Sequence, residues 1–234
     1  LSLIIGVIKT INIIKLKRTI SIIKNINLIY NSNLIGMSRF SYNSRVINEL
    51  ITLNSLKYYT KNIDYFLDVG ANVGMTAIAA EYLFNKQIKI YMFEPSIDCF
   101  KVLEKIEKRF ERIKFLPYAL GKENEKLNFN RSLSSKTSQA SSFYNPTEFY
   151  KKNQKHASSS RIKDTVEVYR LDSLKNYFCL KKDQNIFLHI DVEGYELNVL
   201  KGSKSLVNNI SIISLEYSNK LFDTSYSIQD IYSE

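Results

Sequence analysis

Residues 63–76 read Ile-Asp-Tyr-Phe-Leu-Asp-Val-Gly-Ala-Asn-Val-Gly-Met-Thr, and their reading decides the fold. The apolar run from 63 to 69 carries a carboxylate, Asp68, near its end and is followed by two glycines four residues apart, Gly70 and Gly74. From Val73 to Phe84, apolar side chains at 73, 77, 78, 80, 83 and 84 predict a helix. Strand, glycine turn and helix in that order form the nucleotide loop of a doubly wound α/β sheet. The glycines allow the backbone to approach a ligand closely, and the helix N-terminus offers unpaired N–H groups to an anion.

A dinucleotide loop follows the pattern G-x-G-x-x-G, but Asp68 occupies the first glycine position here. D-x-G-x-x-x-G suits S-adenosylmethionine instead. That molecule has no pyrophosphate to cradle, and its ammonium and sulfonium favour a nearby carboxylate. Its carboxylate suits the helix N-terminus. Taken alone, the same stretch is also compatible with a tight turn that binds nothing.

The chain has 234 residues, enough for one domain with a large core plus an appendage. Cys99 and Cys179 lack metal-site spacing, which points to a reducing, cytoplasmic compartment and away from a disulfide framework or a zinc site. No apolar run reaches the ~18 residues of a membrane span. Leu1 in place of a starting methionine leads us to expect an incomplete N-terminus. The formal charge is +10 and unevenly spread. Residues 1–60 hold eight Lys/Arg against Glu49, and residues 131–163 hold seven against Glu148. The remainder is net acidic, so basicity belongs to an N-terminal helical segment (1–60) and, within the domain 61–234, to a long loop (131–163), not to the rest of the catalytic framework.

Within residues 3–29, apolar positions 3, 4, 7, 8, 11 and 14 form a helical stripe with lysines mostly off it. Such a helix can touch an anionic membrane surface or pack on the domain; the density of isoleucine favours packing. Lysines interrupt the stretch and no cleavage site follows, which argues against a signal peptide.

Residues 87–93 predict a second strand ending in Glu94-Pro95, where an acid can accept hydrogen bonds from ribose hydroxyls. Ser96 is placed to cap a helix over 97–108, and residues 112–116 form a third strand. Residues 127–130 and 166–171 read as short strands on either side of the basic loop, which is too long to be an idle connection. Asp172 is placed to cap a helix ending near Phe178. A buried strand then ends in His189-Ile-Asp191-Val-Glu193-Gly194, with His189, Asp191 and Glu193 on one face while the strand lasts. Three acids within six residues are costly unless paired, hydrated or liganded. Residues 210–215 form a last strand.

Phe66-Leu-Asp-Val-Gly-Ala-Asn-Val-Gly74, Phe93-Glu-Pro-Ser96, Ala119-Leu-Gly121, Leu171-Asp-Ser-Leu174 and Ile190-Asp-Val-Glu-Gly-Tyr-Glu196 occur in an order that resembles the FkbM family of S-adenosylmethionine-dependent methyltransferases. The resemblance covers about residues 60–217 and implies a Rossmann-like class I methyltransferase sheet with helices on both faces. It also implies O-methylation, often of sugar hydroxyls in polysaccharides, glycolipids or secondary metabolites, with a small-molecule or glycan acceptor. Carried over, Asp68, Gly70, Asn72 and Gly74 would hold the methionine end of the cofactor, Glu94 its ribose, and the backbone at Ala119 would flank adenine. Asp191 and Glu193 would face the acceptor. His189 stands where the family usually has lysine, and the chain reaches Glu234 without the final strand pair of such a sheet. We therefore expect that pair to be missing and the edge left by residues 210–215 to promote self-association.

Methyl transfer needs the acceptor oxygen, methyl and sulfur in line, and a base for the hydroxyl proton. Asp191 is the first candidate and His189 the second. A histidine in that role would give a rate dependence between about pH 5 and 8. In structural terms, Asp191 could instead cap the following helix and His189 could be a packing residue. Two other classes share some of these features. A nicotinamide-dependent oxidoreductase would use the same sheet and Glu94, but Asp68 counts against it. A non-enzymatic nucleic-acid-binding protein would use the basic segments, yet no RNA-binding signature with stacking aromatics is present.

Overall fold

The computed structural model describes residues 39–56, 62–84, 87–133, 141–153, 160–218 and 220–234. The amphipathic helix expected over 3–29 lies outside them, as do parts of the basic loop. The first described element is helix α1 (Arg39–Leu56). Strand β1 (Tyr65–Val69) and helix α2 (Met75–Leu83) form the quoted unit, followed by β2 (Lys89–Phe93), α3 (Ile97–Arg109) and β3 (Ile113–Leu116). The short β4 (Ala119–Leu120), β5 (Glu125–Ser132), α4 (Glu148–Asn153) and β6 (Arg161–Tyr169) come next. Helix α5 (Lys175–Phe178), β7 (Ile186–Ile190), α6 (Glu196–Lys201), β8 (Ile210–Leu215) and α7 (Ile228–Tyr232) complete the chain.

Five parallel strands form the central sheet in the order β3-β2-β1-β7-β8. Strands buried on both faces read as continuous apolar runs, which is how β1 and β7 read. Alternate side chains go to opposite cores. Phe66, Ile90, Met92 and Phe187 pack with Val46 and Leu53 of α1, Ala77 and Ile78 of α2, and Val102, Leu103 and Ile106 of α3. Tyr65, Leu67, Val69, Phe93 and Leu188 face Leu171, Phe178, Val199 and Leu206 on the other side. Both layers are thus filled, and the strand ends are left to carry chemistry. Strand β8 lies at one end of the sheet, and its Ile213 is 47% exposed.

A second, three-stranded sheet in the order β4-β6-β5 departs from the expectation of short strands beside a loop. β5 and β6 pair antiparallel in register from Glu125↔Val168 to Ser132↔Arg161. Polar residues alternate along both strands, and cross-strand partners such as Lys126 and Glu167 (2.9 Å) form ion pairs. Low apolar content hid the true length of this ribbon. Two expected caps are also corrected. The Ser96 hydroxyl makes no capping bond, and its backbone N–H instead donates to Glu94 Oε1 at 2.9 Å. Asp172 sits inside a 3₁₀ turn (Leu171–Leu174), where its carboxylate accepts from Ser205 N–H and from Arg170. Among the described residues, no helix is long and apolar enough to cross a membrane.

Candidate active site

Parallel strands place all their C-terminal ends on one side of the sheet, and in open α/β sheets ligands bind there. A cleft opens at that position over the tips of β1, β2, β4 and β7. Gly70, Glu94, Ala119, Asp191 and Glu193 line it, together with Pro95 and Val192. Phe129 of β5, Ser141 and Phe143 of the described part of the basic loop, and Tyr195 form its wall.

The geometry of the first loop explains its glycines. Gly70 has φ +87°, and a Cβ there would lie 1.8 Å from the carbonyl oxygen of Asp191. Only glycine lets β1 and β7 close side by side at their tips, where Asp191 N–H donates to Val69 O at 2.9 Å. Asn72, at φ +50°, turns its backbone N–H to Glu94 Oε2 (2.8 Å). Ser96 N–H takes the other oxygen of Glu94. Two backbone donors thus fix the orientation of the carboxylate, one on each oxygen.

Asp68, Asn72, Gly74 and His189 do not line the cleft. Asp68 is 1% exposed and tucked under the start of α2. Burial, reinforced by the charge of Glu49, pushes its carboxyl up to about 8 against the pull of the Ala77 N–H. Gly74, at φ +74°, caps α2 and packs against Ile106 of α3. His189 pairs with Asp68 across β7 and β1, and its ring lies nearly parallel to Phe66 (15°, centroids 6.3 Å apart). Its Nδ1 is shielded and has no hydrogen-bond partner among the described residues. Burial pushes His189 down to about 4, so the expected titration between pH 5 and 8 does not belong to it.

The tip of β7 concentrates acidity. Asp191 is held well above the usual carboxylate range by burial and by Glu193, Glu216, Asp68 and Glu196. Burial and Glu216 lift Glu193 to about 7, against the pull of Arg161. Glu216, at the tip of β8, donates its N–H to Ile190 O (3.0 Å) and so sits beside Asp191. Glu49 of α1 is raised by burial and by Glu216. The sequence places Glu216 at a strand end on the ligand side without giving it a role, and it does not reveal Glu49 as part of this environment or Phe129, Phe143 and Tyr195 as its wall. The length of the basic loop was the available signal for Phe143.

A parallel α/β sheet with an acid at the tip of β2, further acids after β7 and a cleft over the strand ends is a Rossmann-like arrangement built to hold a ligand there. Residues 68–233, more than half of the chain, match the Methyltransferase FkbM domain, and the chain belongs to that family. A solved structure of Methyltransferase FkbM from Methylobacillus flagellatus KT is similar at 16% sequence identity and a TM-score of 0.46. The match covers 73% of this chain and 36% of that one, so the chain spans about a third of the length of that neighbour. A search of curated proteins finds no significant match.

Proposed function

We propose that the chain is an S-adenosylmethionine-dependent methyltransferase that methylates a hydroxyl group of a sugar or a related small molecule. The observation that carries this reading is Glu94, fixed by two backbone N–H groups in a cleft it shares with Asp191 and Glu193. A carboxylate held in that way suits the two hydroxyls of a ribose, and the apolar neighbours Pro95, Ala119 and Leu120 suit a flat base. When bound, the cofactor supplies a methyl group already activated by a cationic sulfur.

The chain's own residues supply orientation and proton transfer. Gly70 lets the segments after β1 and β7 close together under the cleft that both line. Asp68 and Gly74 shape the loop from beneath, which we take as their role in place of direct contact. In the free site burial and the neighbouring acids disfavour the charged form of Asp191. A positive charge in the cleft favours the ionised form, and so readies Asp191 Oδ to take the acceptor's hydroxyl proton. Glu193, on the same turn, is placed to orient the acceptor.

The test is transfer of labelled methyl from S-adenosylmethionine to glycan and small-molecule hydroxyl acceptors. Label that survives mild alkali, as an ether does, supports the reading. Label released by mild alkali, as from a carboxyl ester, contradicts O-methylation of a hydroxyl.

A further inference from the structure

The turn that carries Glu193 is held from two sides by segments outside the sheet. Glu193 itself has φ +53°, a left-handed conformation that non-glycine residues rarely adopt unless their surroundings impose it. Ser142 is buried and donates its hydroxyl to the Glu193 carbonyl at 2.6 Å. The same hydroxyl accepts the Tyr144 N–H at 3.0 Å, and the Ser142 backbone pairs with Asn130 of β5. On the other side, the Tyr226 hydroxyl lies 2.5 Å from Glu196 Oε2 and 2.8 Å from the Gly194 carbonyl. Glu196, 1% exposed, accepts the Gly194 N–H with its other oxygen at 2.9 Å. Phe222 and Thr224 back the turn so closely that a Cβ on Gly194 would meet each at 3.1 Å.

These two segments are also tied to each other. Thr147 N–H donates to Leu221 O (3.0 Å), Asp223 N–H to Asn145 O (2.9 Å), and the rings of Tyr150 and Phe222 meet edge to face. The basic-loop segment 141–153 and the C-terminal segment 220–226 therefore act as one clamp on residues 193–196. We infer that Ser142 and Tyr226 are positioning residues for the acceptor-facing turn: by holding it in its left-handed conformation they keep the Glu193 carboxylate partly shielded from water at the lining of the cleft. Neither residue lines the cleft. Tyr226 suits the task because burial and Glu196 push its hydroxyl up, so that it remains a donor. The role of the turn rests on the methyltransferase reading, but the clamp can be tested without it.

Partial shielding from water leaves a signature that stability alone would not. The charged and titratable groups around Glu193 are Glu216 at the tip of β8, Glu196 of α6, Asp191 just after β7, Arg161 of β6 and Tyr150 of α4. With the clamp in place, Glu193 titrates at about 7. If the turn opens, hydration stabilises the carboxylate and the midpoint falls.

The experiment follows the Glu193 side-chain carboxyl by carbon NMR across pH 4–9 in the parent, Tyr226→Phe and Ser142→Ala. Thermal unfolding and calorimetry with S-adenosylhomocysteine are run on the same samples. We expect the proton affinity of Glu193 to fall tenfold or more in each folded variant, with S-adenosylhomocysteine affinity within twofold of the parent. A midpoint unchanged in every folded variant overturns the inference, even if melting temperatures drop. Failure of the parent to bind S-adenosylhomocysteine would count against the methyltransferase reading and leave the Glu193 titration to decide the clamp. Should Tyr226→Phe not fold, Ser142→Ala tests the same clamp from the opposite side of the turn.

Discussion

Glu94 keeps its carboxylate in the cleft because Asn72 and Ser96 each give it a backbone N–H, whereas Asp68, on the neighbouring strand, is enclosed beneath α2. The pair was legible in the sequence as two acids at strand ends, but not that, of these two buried side chains, Glu94 lines the cleft and Asp68 does not. That difference depends on α1 and α2 closing over one face of β1, which no local pattern encodes. His189 shows the same limit. Its spacing from Asp191 is visible in the sequence, while the flat contact with Phe66 and the resulting desolvation come from packing. At this scale we predict that His189→Gln leaves the shape of the pH–rate profile unchanged, since the imidazole is already neutral above about pH 4. Asp191→Asn should lower turnover ~10²-fold or more, the usual contribution of a positioned base, with little effect on cofactor binding. A pH–rate series on both variants, with chemistry limiting, checks the pair. Loss of a limb near neutrality in His189→Gln would restore the histidine as a base.

At the scale of elements, the strand–glycine–helix units were readable because hydrophobic periodicity changes from strand to helix within a few residues at Gly70–Gly74 and again at Gly194. β5 and β6 were only partly readable, since their polar alternation resembles a loop, and the clamp was not readable at all. Ser142 and Glu193 are distant in sequence and meet only because Asn130 brings the basic loop back across β5. The two loop glycines allow a quantitative test of the first unit. A Cβ at Gly70 would collide with the Asp191 carbonyl, a backbone group directly after β7 that is tied to β1 by the Asp191 N–H to Val69 O bond and cannot rotate aside. A Cβ at Gly74 would meet Ile106 Cδ1 at 2.4 Å, the far end of a side chain that can rotate. Both substitutions also force alanine to positive φ. We predict that Gly70→Ala costs more than about 2 kcal/mol, and at least ~1 kcal/mol more than Gly74→Ala. Urea unfolding of the two variants measures the difference, and equal costs would contradict the tip-to-tip packing of β1 and β7.

For the whole molecule, the acid cluster at the sheet tips sets how stability depends on pH. The carboxyl groups of Asp68, Glu193 and Asp191 all bind protons more tightly in the folded chain than in the unfolded one. Their contribution is therefore complete below about pH 4 and is lost as pH rises through about 7 and 8, the folded values for Glu193 and Asp68. We predict a melting temperature that falls between pH 5.5 and 8.5, by ~2–4 °C for each kcal/mol lost. Asp68→Asn, which removes one buried ionisation, should flatten that slope, and an unchanged slope would place Asp68 in water. A cationic ligand in the cleft should oppose the same loss by favouring the ionised acids.

The central claim is that the cleft holds S-adenosylmethionine with Glu94 on its ribose, and isothermal calorimetry addresses it most directly. We predict that S-adenosylmethionine and S-adenosylhomocysteine bind the intact chain and NAD does not. Glu94→Ala should weaken S-adenosylhomocysteine tenfold or more, the ~1.5–3 kcal/mol of a hydrogen bond to a charged group. Binding of NAD in their place, or parent-like affinity for S-adenosylhomocysteine in Glu94→Ala, would contradict it.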